Sequence, residues 1–148
     1  MDPRALQCWA RTELGVDPEP YVFARLGAEA AVAAAAALAA SQSACAVWMR
    51  TGDELTIACT ESLARSSPAL AAAEERSGPY RRIALDVEVP LDVCGYLAPA
   101  AQKLADAGIA ILPFAAWSRD HLLVRADQLE LALRTLERWI ASCRAAAG

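Results

Sequence analysis

Apolar positions along the chain recur with two periods. In Tyr80–Val89 (YRRIALDVEV) they alternate. Ile83, Leu85, Val87 and Val89 fall on one face and Arg82, Ala84, Asp86 and Glu88 on the other, as in a half-buried strand. From Leu129 the spacing changes. Leu129, Ala132, Leu133, Leu136, Trp139, Ile140 and Cys143 recur at three- and four-residue steps, the buried stripe of a helix. That helix opens at Asp127 with Glu130 three residues on, a capping box with Asp in place of Ser or Thr. Between these segments lie a helix over Leu97–Ala107 stopped by Gly108, an apolar run Ile109–Ala116, a polar break at Trp117–Asp120 and a second apolar run His121–Val124. The pattern reads helix, strand, turn, strand.

The first half carries similar signals. Residues 1–20 form a lead-in in which Leu6, Trp9 and Leu14 suit a short helix docked on the body, followed by a stiff Asp17-Pro18-Glu19-Pro20 break. Tyr21–Leu26 is aromatic and β-branched between Pro20 and Gly27, hence a strand. Ala28–Ala40 is a helix by Ala propensity, with Val32 and Leu38 as its bulk. Ala44–Arg50, a Thr51-Gly52-Asp53 turn and Glu54–Thr60 make a hairpin. Ser67 and Pro68 open a further helix that ends near Arg76, with Gly78-Pro79 as its stop.

The order of elements is one βαββαβ plan used twice. The fold class is α+β and ferredoxin-like, with antiparallel sheets and helices on one face. Residues 21–89 form the first half and residues 81–148 the second, which borrows strand 81–89. The second half lacks a closing strand. Either Tyr21–Leu26 completes its sheet or a partner chain does, because an open edge is a liability.

Composition narrows the function. Hydrophobic residues make up 56% and charged residues 22%, which is globular rather than disordered. The net charge of −4 comes with no basic stripe, which argues against nucleic acid. The Ala28–Ala40 stretch is shorter than the ~20 apolar residues of a membrane span, and the N-terminus has no signal-peptide apolar core. A cytoplasmic protein is expected, its five cysteines (8, 45, 59, 94 and 143) free, buried and without metal spacing. No phosphate loop or metal cluster is present in the sequence, so no cofactor and no metal are expected.

Three stretches carry a resemblance: Tyr21–Leu26 (YVFARL), Arg50–Ile57 (RTGDELTI), and the Gly95–Val124 block with its Asp120-His121-Leu122-Leu123-Val124-Arg125 ending. Together they resemble the tandem ACT-domain proteins related to the CASTOR amino-acid sensors, over roughly residues 21–139. The resemblance implies two ACT-like halves, a non-enzymatic regulatory role, a homodimer, and a small amino acid or related metabolite as ligand. It places the ligand at Cys94, Gly95, Tyr96, Leu97, Ala116, Trp117, Ser118 and Asp120. A helix N-terminus suits a carboxylate, Gly95 permits close approach, and Asp120 can hold an ammonium. Relatives often carry hydroxyl residues where this chain has Cys94 and Ala115-Ala116-Trp117, so the alternative is a ligand-free interaction or oligomerisation module.

A Cys94-His121-Asp120 catalytic site is disfavoured. Adjacent strand residues point to opposite faces, so Asp120 would not orient His121. Trp48, Trp117 and Trp139 read as core or interface residues, and Arg81-Arg82 as a solvated strand start.

Overall fold

The computed structural model of the chain describes residues 2–43 and 45–147. Met1, Gly148 and Ala44, the residue from which the sequence starts the second strand, lie outside the described residues. In order come α1 (Pro3–Arg11), β1 (Glu13–Val16), β2 (Tyr21–Gly27), α2 (Ala31–Ala40), β3 (Val47–Thr51), β4 (Glu54–Thr60), α3 (Glu61–Ser66), α4 (Pro68–Ala71), β5 (Glu75–Asp86), α5 (Leu97–Asp106), β6 (Ile111–Ala115), β7 (Asp120–Arg125) and α6 (Leu129–Ala147). This is the α+β, ferredoxin-type plan with antiparallel strands. Contacts divide it into two units, residues 2–16 with 81–147, and residues 17–80. Among the described residues no helix is long and apolar enough to cross a membrane.

In the unit of residues 2–16 and 81–147, β5 neighbours β7, and β7 pairs antiparallel with β6, Ile111 opposite Val124. The closing strand comes from the lead-in of the same chain. β1 lies antiparallel to β5, with Glu13 opposite Asp86 and Val16 opposite Ile83. Neither Tyr21–Leu26 nor a second chain fills that place. With four residues and Gly15 in its middle, β1 has too little alternation to be read from sequence.

Helices α1, α5 and α6 cover one face of this sheet. Ile83, Leu85, Leu122 and Val124 meet Trp9, Tyr96, Ala100, Leu104, Leu136 and Ile140 in one core. α1 starts where Asp2 accepts from the Arg4 backbone N–H (2.9 Å) and Pro3 takes the first helical position. α5 ends in a Schellman arrangement: Gly108 has φ +73, its N–H reaches Ala105 O (2.9 Å), and the Ile109 N–H reaches Leu104 O (2.9 Å). α6 keeps the expected stripe. It begins through a 3₁₀ turn, Ala126–Gln128, rather than at an Asp127 capping box, and that turn has no side-chain cap.

The second face of the strands is not solvated as Arg82 and Ala84 suggest. Arg82, Ala84, His121 and Leu123 are all buried. Arg82 Nη1 donates to His121 Nδ1 at 2.9 Å. An arginine only donates, so His121 is held neutral with its proton on Nε2.

In the unit of residues 17–80, β3, β4 and β2 pair antiparallel in that order, and β2 continues to the first part of β5. Val22, Ala24, Leu26, Leu55, Ile57 and Cys59 point to one face and pack on Ala31, Ala34, Leu38, Ala64 and Leu70 of the helices. Val32, which the sequence counts as helix bulk, is 84% exposed. The helix expected over Ser67–Arg76 is replaced by α3, capped by Thr60, and by the single turn of α4. β5 already runs from Glu75, and Gly78-Pro79 lies inside it rather than before it. The ladder shifts register there, between Tyr21 and Phe23. Pro is tolerated at such an irregularity. Gly78 has φ +153, and a Cβ would stand 3.1 Å from Tyr21 O, so a glycine is required.

Trp9 is fully buried, and its loss should be felt through the whole unit. Trp9→Ala is expected to cost about 3–5 kcal/mol, measured by urea denaturation. A cost below about 1 kcal/mol would mean that α1 is not a wall of this core.

Candidate ligand-binding cleft

The segment after β5, the start of α5 and the β6–β7 turn enclose a cleft of about 330 Å³. Gly95, Tyr96, Leu97, Ala116, Trp117 and Asp120 line it. Of the eight residues expected from the sequence, Cys94 and Ser118 are absent from the lining; both are exposed, and the Cys94 thiol makes a long contact to Asp92 O (4.0 Å). Val89, Leu91, Val93 and Arg119 line it without having been singled out. Only Val89 carried a signal, through the alternation of the strand before it.

Tyr96 is the fixed wall. Its carbonyl accepts the Trp9 Nε1–H at 2.6 Å, its ring stacks on Trp9 with centroids 4.6 Å apart, and its hydroxyl meets Thr12 Oγ1 at 2.8 Å. Burial pushes its phenol well above the usual range. Next to it Gly95 takes φ +80, with nothing within 4 Å of where a Cβ would stand. The backbone is therefore open to the cleft at that point. Arg4 pins the same segment from outside through Asp92 (2.8 Å) and Asp2 (2.8 Å).

α5 begins at Leu97 with no side-chain cap and no acidic residue in its first turn. The backbone N–H groups there, at the positive end of the helix dipole, lack a side-chain partner. Pro99 contributes no N–H. Asp120, the first residue of β7, carries the only carboxylate of the lining. It makes no side-chain hydrogen bond or ion pair among the described residues, and burial raises its pKa. Arg119 beside it bonds Asp86 at 2.8 Å instead. An uncapped helix start and an unpaired carboxylate in one small cleft are complementary to a zwitterion.

The rim is apolar and open: Trp117 is 82% exposed and Leu91 77% exposed. Trp117 and Trp48 therefore lie outside the core, while Trp139 sits edge-on to Trp9 with Lys103 over its ring. His121 is buried and bonded to Arg82, whereas Cys94 is exposed. Among the described residues no three metal-capable side chains gather.

Residues 77–138 match the family described as ACT domain. That span includes α5, β6, β7 and every residue of the cleft lining. A protein of unknown function from Vibrio cholerae, titled a possible transport protein, has a similar structure, with TM-score 0.71, 23% identity, and coverage of 95% of this chain and 99% of that one. A protein from Agobacterium tumefaciens matches with TM-score 0.71 at 25% identity, covering 88% and 90%. The ligand-free regulatory subunit of aspartate kinase from Thermus thermophilus matches with TM-score 0.64 at 18% identity, covering 86% and 97%. No curated protein matches the chain in sequence.

A carboxyl group whose pKa is raised by folding opposes folding once it ionises. Its stabilising contribution is complete below the unfolded value of about 3.9 and is lost as pH rises through the folded value. Asp120→Asn is therefore expected to raise the melting temperature at pH 7, with the gain vanishing below about pH 4. Melting curves across that range check it, and a pH-independent difference would assign the effect to packing.

Proposed function

We propose that the chain is a non-catalytic regulatory module of two ACT-like halves whose cleft binds a small amino acid or a closely related metabolite. The observation that carries the reading is Asp120. A partly buried carboxylate with no partner opposes folding, and it faces the same cleft as an uncapped helix N-terminus. A ligand ammonium would pair with Asp120 while its carboxylate takes the Leu97 and Ala98 N–H groups. The match of residues 77–138 to the ACT domain supports the reading. So does the fold shared with the regulatory subunit of aspartate kinase. The cleft volume of about 330 Å³ is at the small end of ligand pockets. In this reading the module is a homodimer, and the ligand acts by preferring one of two interface arrangements.

A second reading is favoured by the rim. Trp117 and Leu91 are large and exposed, and the turn offers Ala115 and Ala116 where hydroxyl donors would fix a ligand. On that reading the cleft edge is a protein-binding surface that needs no ligand.

A thermal-shift panel of the twenty amino acids separates the two. A ligand of the folded state raises its stability by about 2.7 kcal/mol at a hundredfold excess over Kd. One or a few amino acids are expected to give a saturable rise that Asp120→Ala abolishes in a folded protein. A flat panel would reject the sensor reading in favour of the second.

A further inference from the structure

Helices α5 and α6 share one core, and a groove of about 430 Å³ opens between them. Lys103 and Asp106 line it from α5. Thr135, Arg138, Trp139 and Ser142 line it from α6, at the steps of three and four residues that share a helix face. None of these residues belongs to the cleft at Asp120.

Two cations meet in this groove without counter-charges. Among the described residues neither Lys103 nor Arg138 forms an ion pair. Arg138 gives its Nε–H to Arg134 O at 3.2 Å, which leaves the two terminal amino groups of the guanidinium for the groove. Lys103 Nζ lies over the Trp139 ring, 4.7 Å from its centroid, at the end of a flexible four-carbon stem. Asp106 is the one carboxylate of the lining, and it accepts from Gln102 Nε2 at 2.8 Å. The lining is therefore net positive on a chain whose total charge is −4.

The indole gives a second, independent signal. Trp139 Nε1 is a buried donor with no acceptor among the described residues. Trp9 meets the ring edge-on, with centroids 6.3 Å apart, and holds it in place. The Trp9 indole itself reaches a carbonyl, as buried N–H groups nearly always do. Thr135 Oγ1 and Ser142 Oγ already donate within their own helix, to Leu131 O (2.8 Å) and Trp139 O (2.7 Å). Charge and the indole N–H, rather than hydroxyl donors, are what the groove offers.

We propose that the α5–α6 groove binds a small oxyanion, a phosphate or a dicarboxylate, between Lys103 and Arg138, with Trp139 Nε1–H as a further donor. The guanidinium takes two oxygens side by side, and the lysine turns from the ring toward the anion as a point charge. The indole edge opens as it turns. This site is separate from the amino-acid cleft and stands whether or not that reading holds.

Isothermal titration of the full chain with inorganic phosphate and with succinate tests the site, at an ionic strength held constant with chloride. One saturable site per chain is expected for at least one of the two, and the tighter anion names the class. Lys103→Gln and Arg138→Gln are each expected to weaken binding at least about tenfold. Both side chains reach solvent, so these variants keep the fold. Trp139→Phe keeps a ring against Trp9, removes the N–H, and is expected to weaken binding about fivefold. Arg134→Gln takes a positive charge from the same helix outside the groove and is expected to change nothing. Failure of both anions to saturate would overturn the site. So would an equal loss in Arg134→Gln, which would reduce the effect to diffuse attraction. Binding that survives both Lys103→Gln and Arg138→Gln would also overturn it, and would move the anion to the uncapped start of α5.

Discussion

The contact between Trp9 and Tyr96 is the constraint on which the site depends. Trp9 stands in a helix that precedes the ACT-matching segment by almost seventy residues, yet its indole donates to the carbonyl of the residue just before α5 and stacks on that residue's ring. A buried indole N–H without a partner costs about 1–3 kcal/mol, so the bond fixes both rings at once. The loop at Gly95 would otherwise be a string of small and apolar residues with no reason to hold one shape. Thr12, at the end of the same helix, adds a bond to the Tyr96 hydroxyl. The lead-in is therefore part of the site's scaffold. It also supplies β1.

The parts of the fold legible in sequence are those with a clear apolar period. Ile83 and Leu85 announce themselves by alternation, and the α6 stripe by its three- and four-residue steps. Both failures in residues 61–80 have a physical origin. Ala-rich helix propensity between Ser67 and Arg76 is a weak local preference, and it yields to pairing of Glu75–Tyr80 with β2. Gly78-Pro79 is turn chemistry in isolation, but an irregular ladder uses the same two residues. Arg82 shows a third limit. A charged residue on an alternating strand reads as solvent-facing, and only a partner from another strand, His121, makes its burial tolerable.

The cleft was legible through its backbone more than its side chains. Gly95 and Asp120, which the resemblance names for close backbone approach and for an ammonium, both line the cleft. Cys94 and Ser118, which the resemblance also names, stand outside the lining, because a loop does not send neighbouring residues to the same side. Leu91 and Arg119 were missed for the converse reason. Nothing local marks them, and they reach the cleft only because the chain between β5 and α5 folds back against the β6–β7 turn.

Two departures from local rules meet at this cleft. α1 is capped by Asp2 and α3 by Thr60. α2 follows a turn bearing Glu29, and α6 has Glu130 in its first turn. α5, like α2, has neither a side-chain cap nor an acid in its first turn. The nearest acidic residue before α5, Asp92, is engaged by Arg4. The one carboxylate left in the cleft, Asp120, stands unpaired and partly buried. Two uncompensated groups of opposite sign, close in space and neither neutralising the other, are a poor choice for stability alone. A protein that keeps both gives up stability in the free state, and what would recover it is a molecule that carries the two complementary charges on adjacent atoms.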